Sequence, residues 1–372
     1  MKTFFTSGLF KYLCFALLAC TILWTRFFLV TVNVHSGYVF NQQSNKHYSP
    51  SQCVLLPSSL LSNPPYGNVS PPLSSLYGVK MFSADNGWAV GGIFARRDDP
   101  GDKDLVHLDP ESGNILQYSN NSWHDSDSAP LPLFALSFSS PQDGWAVGCH
   151  GTLMHYSNQK WQSIQSPTTA TLYSVAMLPD GSGWAAGTDG VLLHYDGQNW
   201  QQVASGTTKV LHSIAMWSDD EGWAVGEEGM ILHYQSGSWQ EVVNSSSATL
   251  NAVTLSSANE GWAVGEQGTI LHYRDGSWQL VKSEITFHSS YVNLLTIAMP
   301  DIRQGWIIGE EQTLLTYQNE VWTDFASKLP WISLARFYSM SLSSGDEGWA
   351  VGVSYGGAFV GHYHHGKWDM VQ

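Results

Sequence analysis

Histidine is the residue type whose spacing most directly suggests chemistry, because five copies recur in one local context. Each precedes a tyrosine at the end of a short apolar segment: His155, His194, His233, His272 and His362. Imidazoles brought to one point could bind zinc with bonds of about 2 Å. The sequence contains no Cys-x-x-Cys pair and no His-x-x-x-His, so such a site depends entirely on where the fold places these side chains.

A short acidic segment offers a second set of ligands. Asp98, Asp99, Asp102 and Asp104 lie close together in the sequence, and carboxylate oxygens are ligands that Ca²⁺ prefers. Their spacing does not match an EF-hand loop, and a solvated surface loop has the same composition. The sequence therefore predicts no metal site and no bound cofactor.

A repeat determines which elements position these residues. The dipeptide Gly-Trp occurs seven times, and a second tryptophan follows each copy, sixteen residues later in five of the seven. Fourteen of the 17 tryptophans therefore belong to the repeat. The first tryptophans are Trp88, Trp145, Trp184, Trp223, Trp262, Trp306 and Trp349, and the second are Trp123, Trp161, Trp200, Trp239, Trp278, Trp322 and Trp368.

The fourth unit shows the internal pattern of the repeat. Apolar segments at 211–216, 223–226, 230–234 and 239–243 are separated by Asp, Glu, Gly and Ser. Such short segments bounded by turn residues indicate strands and are too short for helices. A period near 40 residues with four strands per unit is typical of a β-propeller. The sequence thus predicts an all-β, seven-bladed β-propeller of four-stranded blades over residues 74–372.

This architecture argues against the zinc site. The histidines fall on the third strand of each blade, about 10 Å outward from the innermost strand at strand spacings of 4.7–4.9 Å, so they cannot converge. They are predicted to be structural, as are the repeated tryptophans and tyrosines, which fill the space between sheets. The glycine before each first tryptophan, such as Gly222, is predicted to occupy a turn that needs a positive φ.

The repeat also resembles a known family. Gly261 to Gly265 (GWAVG) and Gly268 to Tyr273 (GTILHY) are similar to the repeats of the photosystem II stability/assembly factor family of propellers, which is related to the Asp-box repeats of bacterial neuraminidases. The resemblance implies an extracytoplasmic binding or assembly role without an active site. The Asp-box is shortened here, to Tyr195-Asp-Gly-Gln-Asn-Trp200, and propellers host many unrelated functions.

The relation to neuraminidases makes a sialidase-like or carbohydrate-binding propeller the alternative function. Sialidases use three arginines around a carboxylate together with a Tyr/Glu nucleophile pair. Arg274 and Arg303 fall in turns on the face opposite the usual binding face, which leaves no arginine triad, and no Gly-x-Ser-x-Gly segment is present. The sequence therefore predicts a protein that is not an enzyme.

Charge divides the chain into two parts. Residues 1–73 contain four basic and no acidic residues, whereas residues 74–372 contain 12 basic and 31 acidic residues. A body so acidic repels phosphate backbones, which argues against nucleic acid as a partner. Basic peptides or cations are better matched to it.

The N-terminal part predicts attachment to a membrane. Residues 12–34 are almost uninterruptedly apolar and follow Lys2 and Lys11, which predicts a signal-anchor helix over residues 1–34 with its N-terminus in the cytoplasm. A cleaved signal peptide is the alternative. Residues 35–73, rich in Pro, Ser and Asn, are predicted to form a tether. The protein would then be a single-pass membrane protein with an extracytoplasmic propeller.

Cysteine and the tether leave two questions open. Cys53 in the tether and Cys149 in the body could form a disulfide if exported, or they could be two unrelated buried thiols. The apolar segment Cys53 to Leu56 could add a strand to the propeller.

Function is sought where the repeats deviate, because loops vary while strands repeat. The deviations are a charged loop at 96–111 in unit 1 and long connections before units 6 and 7, and these three units are neighbours in a closed ring. We predict an aromatic and acidic patch that binds a basic or polar polypeptide, a membrane-embedded protein or a glycan, with Tyr291 and Trp331 as anchors. Trp217 lies on the opposite face. The candidate residues are Arg96, Arg97, Asp98, Asp99, Glu227, Glu228, Glu266, His288, Tyr291, Glu310, Glu311 and Trp331.

Overall fold

Four-stranded antiparallel sheets are the repeating unit of the structure. The computed structural model describes residues 73–98, 106–281, 292–329, 335–354 and 357–371. These residues form seven sheets, each built from four strands that are consecutive in sequence. The prediction of a seven-bladed, all-β propeller is confirmed.

The strands of the first four blades have the following bounds. They are β1 Leu73–Ser83, β2 Asn86–Asp98, β3 Val106–Ser119 and β4 Ser122–Ala129; β5 Leu133–Ser140, β6 Asp143–Gly148, β7 Leu153–Ser157 and β8 Lys160–Ile164; β9 Leu172–Met177, β10 Gly183–Gly187, β11 Leu192–Tyr195 and β12 Trp200–Val203; β13 Leu211–Ser218, β14 Glu221–Gly226, β15 Ile231–Gln235 and β16 Ser238–Glu241.

The remaining blades follow the same order. They are β17 Leu250–Ser257, β18 Glu260–Gly265, β19 Ile270–Arg274 and β20 Ser277–Leu280; β21 Leu294–Ala298, β22 Gly305–Gly309, β23 Leu314–Gln318 and β24 Val321–Asp324; β25 Ala335–Ser344, β26 Glu347–Ser354, β27 Gly357–His364 and β28 Lys367–Val371. A single helical turn, Ala326–Lys328, follows β24.

The first strand of each blade lies at the centre of the ring. Strand β13 contacts β9 and β17, and β1 contacts both β5 and β25. The other three strands of each blade extend outward from it. The sequence order of the blades is therefore also their order around the ring, with blade 7 beside blade 1.

Aromatic side chains interlock each blade with the next. The indole of Trp223 in blade 4 packs against Tyr273 of blade 5 at 4.7 Å between ring centroids, and against Trp278 at 5.3 Å and 86°. Edge-to-face geometry of this kind is favoured between aromatic rings. The predicted role of the repeated aromatic residues as the filling between sheets is confirmed.

Blade 7 closes the ring on blade 1 by the same contact. Trp349 lies 4.5 Å from Tyr118 and 5.8 Å from Trp123, and the Met81 amide donates a hydrogen bond of 3.0 Å to the Ser341 hydroxyl. Because every described sheet takes all four strands from one unit, closure depends on packing and not on an exchanged strand. The segment 53–56, considered above as an extra strand, lies outside the described residues.

The repeated histidines are packing residues. His233 stacks on Trp223 of its own blade at 4.0 Å and 7°, and its Nε2 lies 2.5 Å from Glu221 Oε1. His155 and His272 make the same pair of contacts with a tryptophan and a carboxylate of their own blades. Each ring is therefore held inside its own blade, and the structural interpretation of these histidines is confirmed.

The predicted conformation of the glycine before each first tryptophan is wrong. Gly222 is absent from the residues with positive φ. A Cβ there would lie 2.2 Å from Sδ of Met216 on the adjacent strand, and at Gly144 it would lie 2.2 Å from Cδ1 of Phe138. A side chain at this position would therefore have to displace the large side chain from the innermost strand that covers the glycine Cα.

Membrane attachment is not visible in this part of the chain. No helix in the described ranges is long and apolar enough to cross a bilayer. Residues 1–72, which include the predicted anchor and almost all of the tether, lie outside those ranges.

The aromatic interlock leads to a stability prediction. Trp223→Ala should lower the free energy of unfolding by about 3–5 kcal/mol, because it removes a side chain that is 2% exposed between two blades. Trp217→Ala is the matched control, since that side chain is 48% exposed and should change stability by about 0.5 kcal/mol or less. Urea denaturation monitored by circular dichroism measures both, and equal effects would contradict the interlock.

Candidate functional site

Five tight turns between the second and third strands define one face of the ring, here called the upper face. In blade 4 the turn runs from Glu227 to Met230, closed by the Met230 amide donating 3.0 Å to the Glu227 carbonyl. Its two central residues have positive φ, 52° at Glu228 and 71° at Gly229. A Cβ on Gly229 would lie 2.1 Å from the Ser246 carbonyl oxygen, so glycine is required there. The equivalent turns are Cys149–Thr152, Thr188–Val191, Glu266–Thr269 and Glu310–Thr313.

The first residue of each turn is tied to the chain entering its own blade. The Glu227 amide donates to the Val210 carbonyl at 3.0 Å, and the Val210 amide donates to Glu227 Oε2 at 3.2 Å. Thr188 and Thr171 make the same reciprocal pair, at 2.9 and 3.1 Å. The turns and the connections between blades therefore emerge on one face, as predicted, and Glu227 lies beside the central opening.

The second residue of each turn points away from the ring. Asp189, Glu228, Gln267 and Glu311 are exposed. Glu228 pairs with Lys209 at 3.0 Å, but it is 75% exposed, and such surface pairs contribute little to stability. Three of these four side chains, all except Gln267, are carboxylates, so they add negative charge to the upper face.

Glu310 differs from the other carboxylates of this face because it is 7% exposed. Its Oε2 accepts a hydrogen bond of 2.9 Å from Asn293 Nδ2. Burial raises the pKa of Glu310, Arg336 opposes that rise, and Glu311 and Glu266 add to it. The three glutamates therefore belong to one electrostatic group on blades 5 and 6.

The charged segment of blade 1 that the sequence predicted as a loop is largely strand. Strands β2 and β3 stay paired from Gly87 and Tyr118 out to Asp98 and Val106, whereas β1 pairs with β2 only as far as Phe94. Residues 95–98 and 106–109 thus form a two-stranded ribbon at the upper end of the blade. Arg96, Arg97 and Asp98 lie on this ribbon.

A β-bulge near the upper end of each innermost strand places a series of bulky side chains at the centre of the ring. In blade 4, the register skips from Leu211 to Ser213 and leaves His212 outside the ladder. Rings from five successive blades contact one another at 5.2–5.7 Å between centroids. We call these residues the axial aromatic arc: Tyr338, Tyr77, Phe134, Tyr173 and His212.

The axial aromatic arc is uncharged at neutral pH. Burial lowers the pKa of His212 to about 4. Burial also raises the pKa of Tyr173 to about 12, with Glu227 and Asp189 adding to the shift. Tyr77 and Phe134 are only 5% and 4% exposed, so the arc is mainly a packed aromatic layer, and it lies near the carboxylates of the upper face.

Sequence reasoning missed the arc, although a signal was present. In blades 1, 2 and 3 a large aromatic residue directly follows the first buried leucine of the innermost strand, as in Leu172-Tyr173. Two adjacent large residues conflict with the alternation of a regular strand, and a bulge removes that conflict by adding one residue.

The other candidate residues have different positions. Asp99, His288, Tyr291 and Trp331 lie outside the described residues. The described glutamates on the upper face are Glu227, Glu228, Glu266, Glu310 and Glu311. Trp217, at the end of β13, is on the opposite face as predicted and is 48% exposed.

A groove of about 310 Å³ lies between blades 2 and 3. Its polar lining includes Gln165, Gln198 and Asn199, and Trp145 and Trp200 lie at its base. Those two indoles are only 2% and 7% exposed. They therefore offer no broad aromatic surface on which a sugar ring could stack.

Comparison with known proteins agrees with this geometry. The sequence model of the photosynthesis system II assembly factor YCF48 family matches residues 194–284, a segment that contains blades 4 and 5. The propeller is similar to those of photosystem II assembly factors. The resemblance inferred from the repeats is thereby confirmed for this part of the chain. Among curated proteins no match is found.

Two solved structures share the fold. One, described as YCF48 bound to D1 peptide, is 18% identical, with a TM-score of 0.58 over 79% of this chain and 94% of that chain. The other, YCF48 from Cyanidioschyzon merolae, is 16% identical, with a TM-score of 0.57 over 80% of this chain and 97% of that chain. At these identities the likeness establishes the fold and leaves the ligand to be argued separately.

The buried carboxylate at the upper face leads to a pH prediction. Because the pKa of Glu310 is raised on folding, the folded protein holds its proton more tightly, and stability falls as the pH rises through that pKa. Glu310→Gln should therefore unfold at higher denaturant concentration than wild type at pH 7. The difference should shrink as the pH falls towards the ordinary glutamate value of 4.5.

Glu311→Gln is the matched control, because Glu311 is the exposed neighbour in the same turn. We expect it to show a smaller, salt-sensitive effect. Urea midpoints at pH 4, 5 and 7 measure the comparison. A pH-independent difference between Glu310→Gln and wild type would contradict the assignment of the effect to ionisation.

Proposed function

We propose that this chain is a non-catalytic, membrane-anchored propeller that binds an extended basic or polar protein segment on its upper face, outside the cytoplasm. The observation that carries the proposal is the unequal distribution of charged and aromatic groups around the upper face. Carboxylates held by backbone hydrogen bonds lie beside a neutral aromatic arc, and the long connections of blades 6 and 7 and the ribbon of blade 1 belong to neighbouring blades.

The expected partner follows from charge and shape. Fixed carboxylates steer a cationic segment towards the face and raise its rate of association. Aromatic anchors then supply most of the binding energy, and Tyr291 and Trp331 are the anchors that we propose. The solved propeller described as bound to D1 peptide supports a protein segment as the class of ligand.

Three features support a binding role rather than catalysis. Among the described carboxylates, Glu310 has the burial that often marks an acid catalyst, but it is engaged by Asn293 and too enclosed to reach a substrate. The stacked histidines are committed to tryptophans and carboxylates. Arg336 is the second residue of β25, at the upper end of that innermost strand, whereas Arg274 and Arg303 lie at turns on the opposite face.

The location of the propeller is argued from the cysteines and the N-terminal charge. Cys149 is disulfide-bonded, and structural disulfides persist in oxidising compartments. The positive residues that precede the apolar segment favour a cytoplasmic N-terminus. An exported propeller anchored by residues 1–34 is consistent with both observations.

Glycan binding is the second candidate. The groove between blades 2 and 3, with its amide side chains, favours it, because amides bind sugar hydroxyls well. The buried state of the two indoles weighs against it. Binding of labelled oligosaccharides to the purified protein would favour this alternative.

The binding experiment uses the full chain in its native membrane. Trp331→Ala combined with Tyr291→Ala should reduce photo-crosslinking to a protein partner by about tenfold or more, because both aromatic anchors are lost. Trp217→Ala changes an exposed tryptophan on the opposite face and should crosslink like wild type.

Two outcomes would count against the proposal. Undiminished crosslinking in the double variant would show that the partner binds elsewhere. An equal loss in Trp217→Ala would show that the readout follows general destabilisation, so thermal melts of both variants and of the wild type accompany the crosslinking.

A further inference from the structure

Cys149 occupies a position at which the other blades hold a polar side chain. It is the first residue of the upper-face turn in blade 2, and it is completely buried. The equivalent residues are Thr188, Glu227, Glu266 and Glu310 in the four following blades. A buried cysteine therefore replaces a hydroxyl or carboxylate beside the central opening.

The residue that enters blade 2 explains why this replacement is tolerated. The Cys149 amide donates to the Pro132 carbonyl at 3.0 Å, just as Glu227 donates to Val210. In blade 4 the Glu227 side chain also accepts the Val210 amide, but proline has no amide hydrogen to donate. Position 149 thus needs no acceptor side chain, and its sulfur can serve another purpose.

That purpose is a disulfide bond. Because the chain has only four cysteines, only three residues could be the partner of Cys149 within the chain. Cys149 is disulfide-bonded, and it is the one cysteine among the described residues, since the others are Cys14, Cys20 and Cys53. Cys14 and Cys20 lie in the apolar segment that is predicted to cross the membrane. We propose that Cys149 is bonded to Cys53 and that this bond fastens the N-terminal tether to the upper face at blade 2.

The bond shortens the connection between the membrane and the propeller. From Val34 to Cys53 the chain can span at most about 65 Å, compared with about 135 Å from Val34 to Leu73. This consequence rests on the proposed anchor, whereas the bond itself does not.

The closed loop contains the whole of blade 1. Residues 53 to 149 include β1 to β4, and blade 1 is the blade at which non-covalent contacts with blade 7 close the ring. The proposed bond therefore adds a covalent constraint to the part of the ring where the first and last blades meet.

Cleavage at two engineered sites tests the bond in the full chain. One variant carries a protease site between Asn63 and Pro64, and the other carries it between Asn41 and Gln42. After cleavage at the first site, the two fragments should migrate together on a non-reducing gel and separate with dithiothreitol. After cleavage at the second site, residues 1–41 should separate without reductant.

Each other outcome overturns the proposal. Separation without reductant at the first site would show that no bond joins the tether to the propeller. Retention at the second site would assign the bond to Cys14 or Cys20, and a species of twice the mass would assign it to a second copy of the chain. Peptide mapping under non-reducing conditions should recover one linked pair that contains Cys53 and Cys149.

Cysteine variants complete the test. The gel reports only the disulfide, so its result does not depend on whether a protein binds the upper face. Cys149→Ser and Cys53→Ser should each abolish retention at the first site. Because the two-site comparison uses the native cysteines, it remains decisive even if a cysteine variant folds poorly. If the wild-type chain kept its fragments linked at the first site but crosslinked to no protein partner, the bond would stand and the proposed function alone would be contradicted.

Discussion

The contact between the first tryptophan of one blade and the Tyr–Trp pair of the next is the interaction on which the structure depends. A four-stranded sheet with apolar residues on both faces cannot be stable alone, because burying one face leaves the other in water. Seven such contacts bury every face only if the seventh blade meets the first. Trp349 therefore has to find Tyr118 and Trp123, which lie more than two hundred residues earlier in the chain.

This requirement fixes the strands and leaves the strand ends free to vary. The upper-face turn keeps one backbone hydrogen bond to the chain entering the blade, whether its first residue is Glu227, Thr188 or Cys149. The side chain is then chosen by what the entering residue offers, an amide at Val210 and none at Pro132. The side chain at the first position of the upper-face turn can thus differ from blade to blade without altering the aromatic contacts between blades.

The sequence was sufficient to predict the fold because the residues that make the aromatic contact between blades occur seven times. This repetition distinguishes the scaffold residues from the others. The sequence was insufficient where one residue's role depends on a neighbour from another strand. The turn predicted at Gly222 is wrong because nothing in the local sequence shows that Met216 covers its Cα. The bulge at His212 and the extended pairing of Arg96 with Leu108 are tertiary features, which strand alternation and polar composition conceal.

The candidate site could be predicted only in part, because the burial of a side chain also depends on neighbours from other strands. Glu227 and Glu310 were placed on one face by strand order alone, yet one is partly exposed and the other is buried against Asn293. Their difference matters for function, because an exposed carboxylate attracts a partner through solvent, whereas a buried one chiefly orders the surrounding structure. Affinity then has to come from apolar anchors rather than from charge, since surface charges are screened by salt within about 8–10 Å. A face that combines fixed carboxylates with aromatic side chains is therefore better suited to holding a polypeptide than to acid–base chemistry.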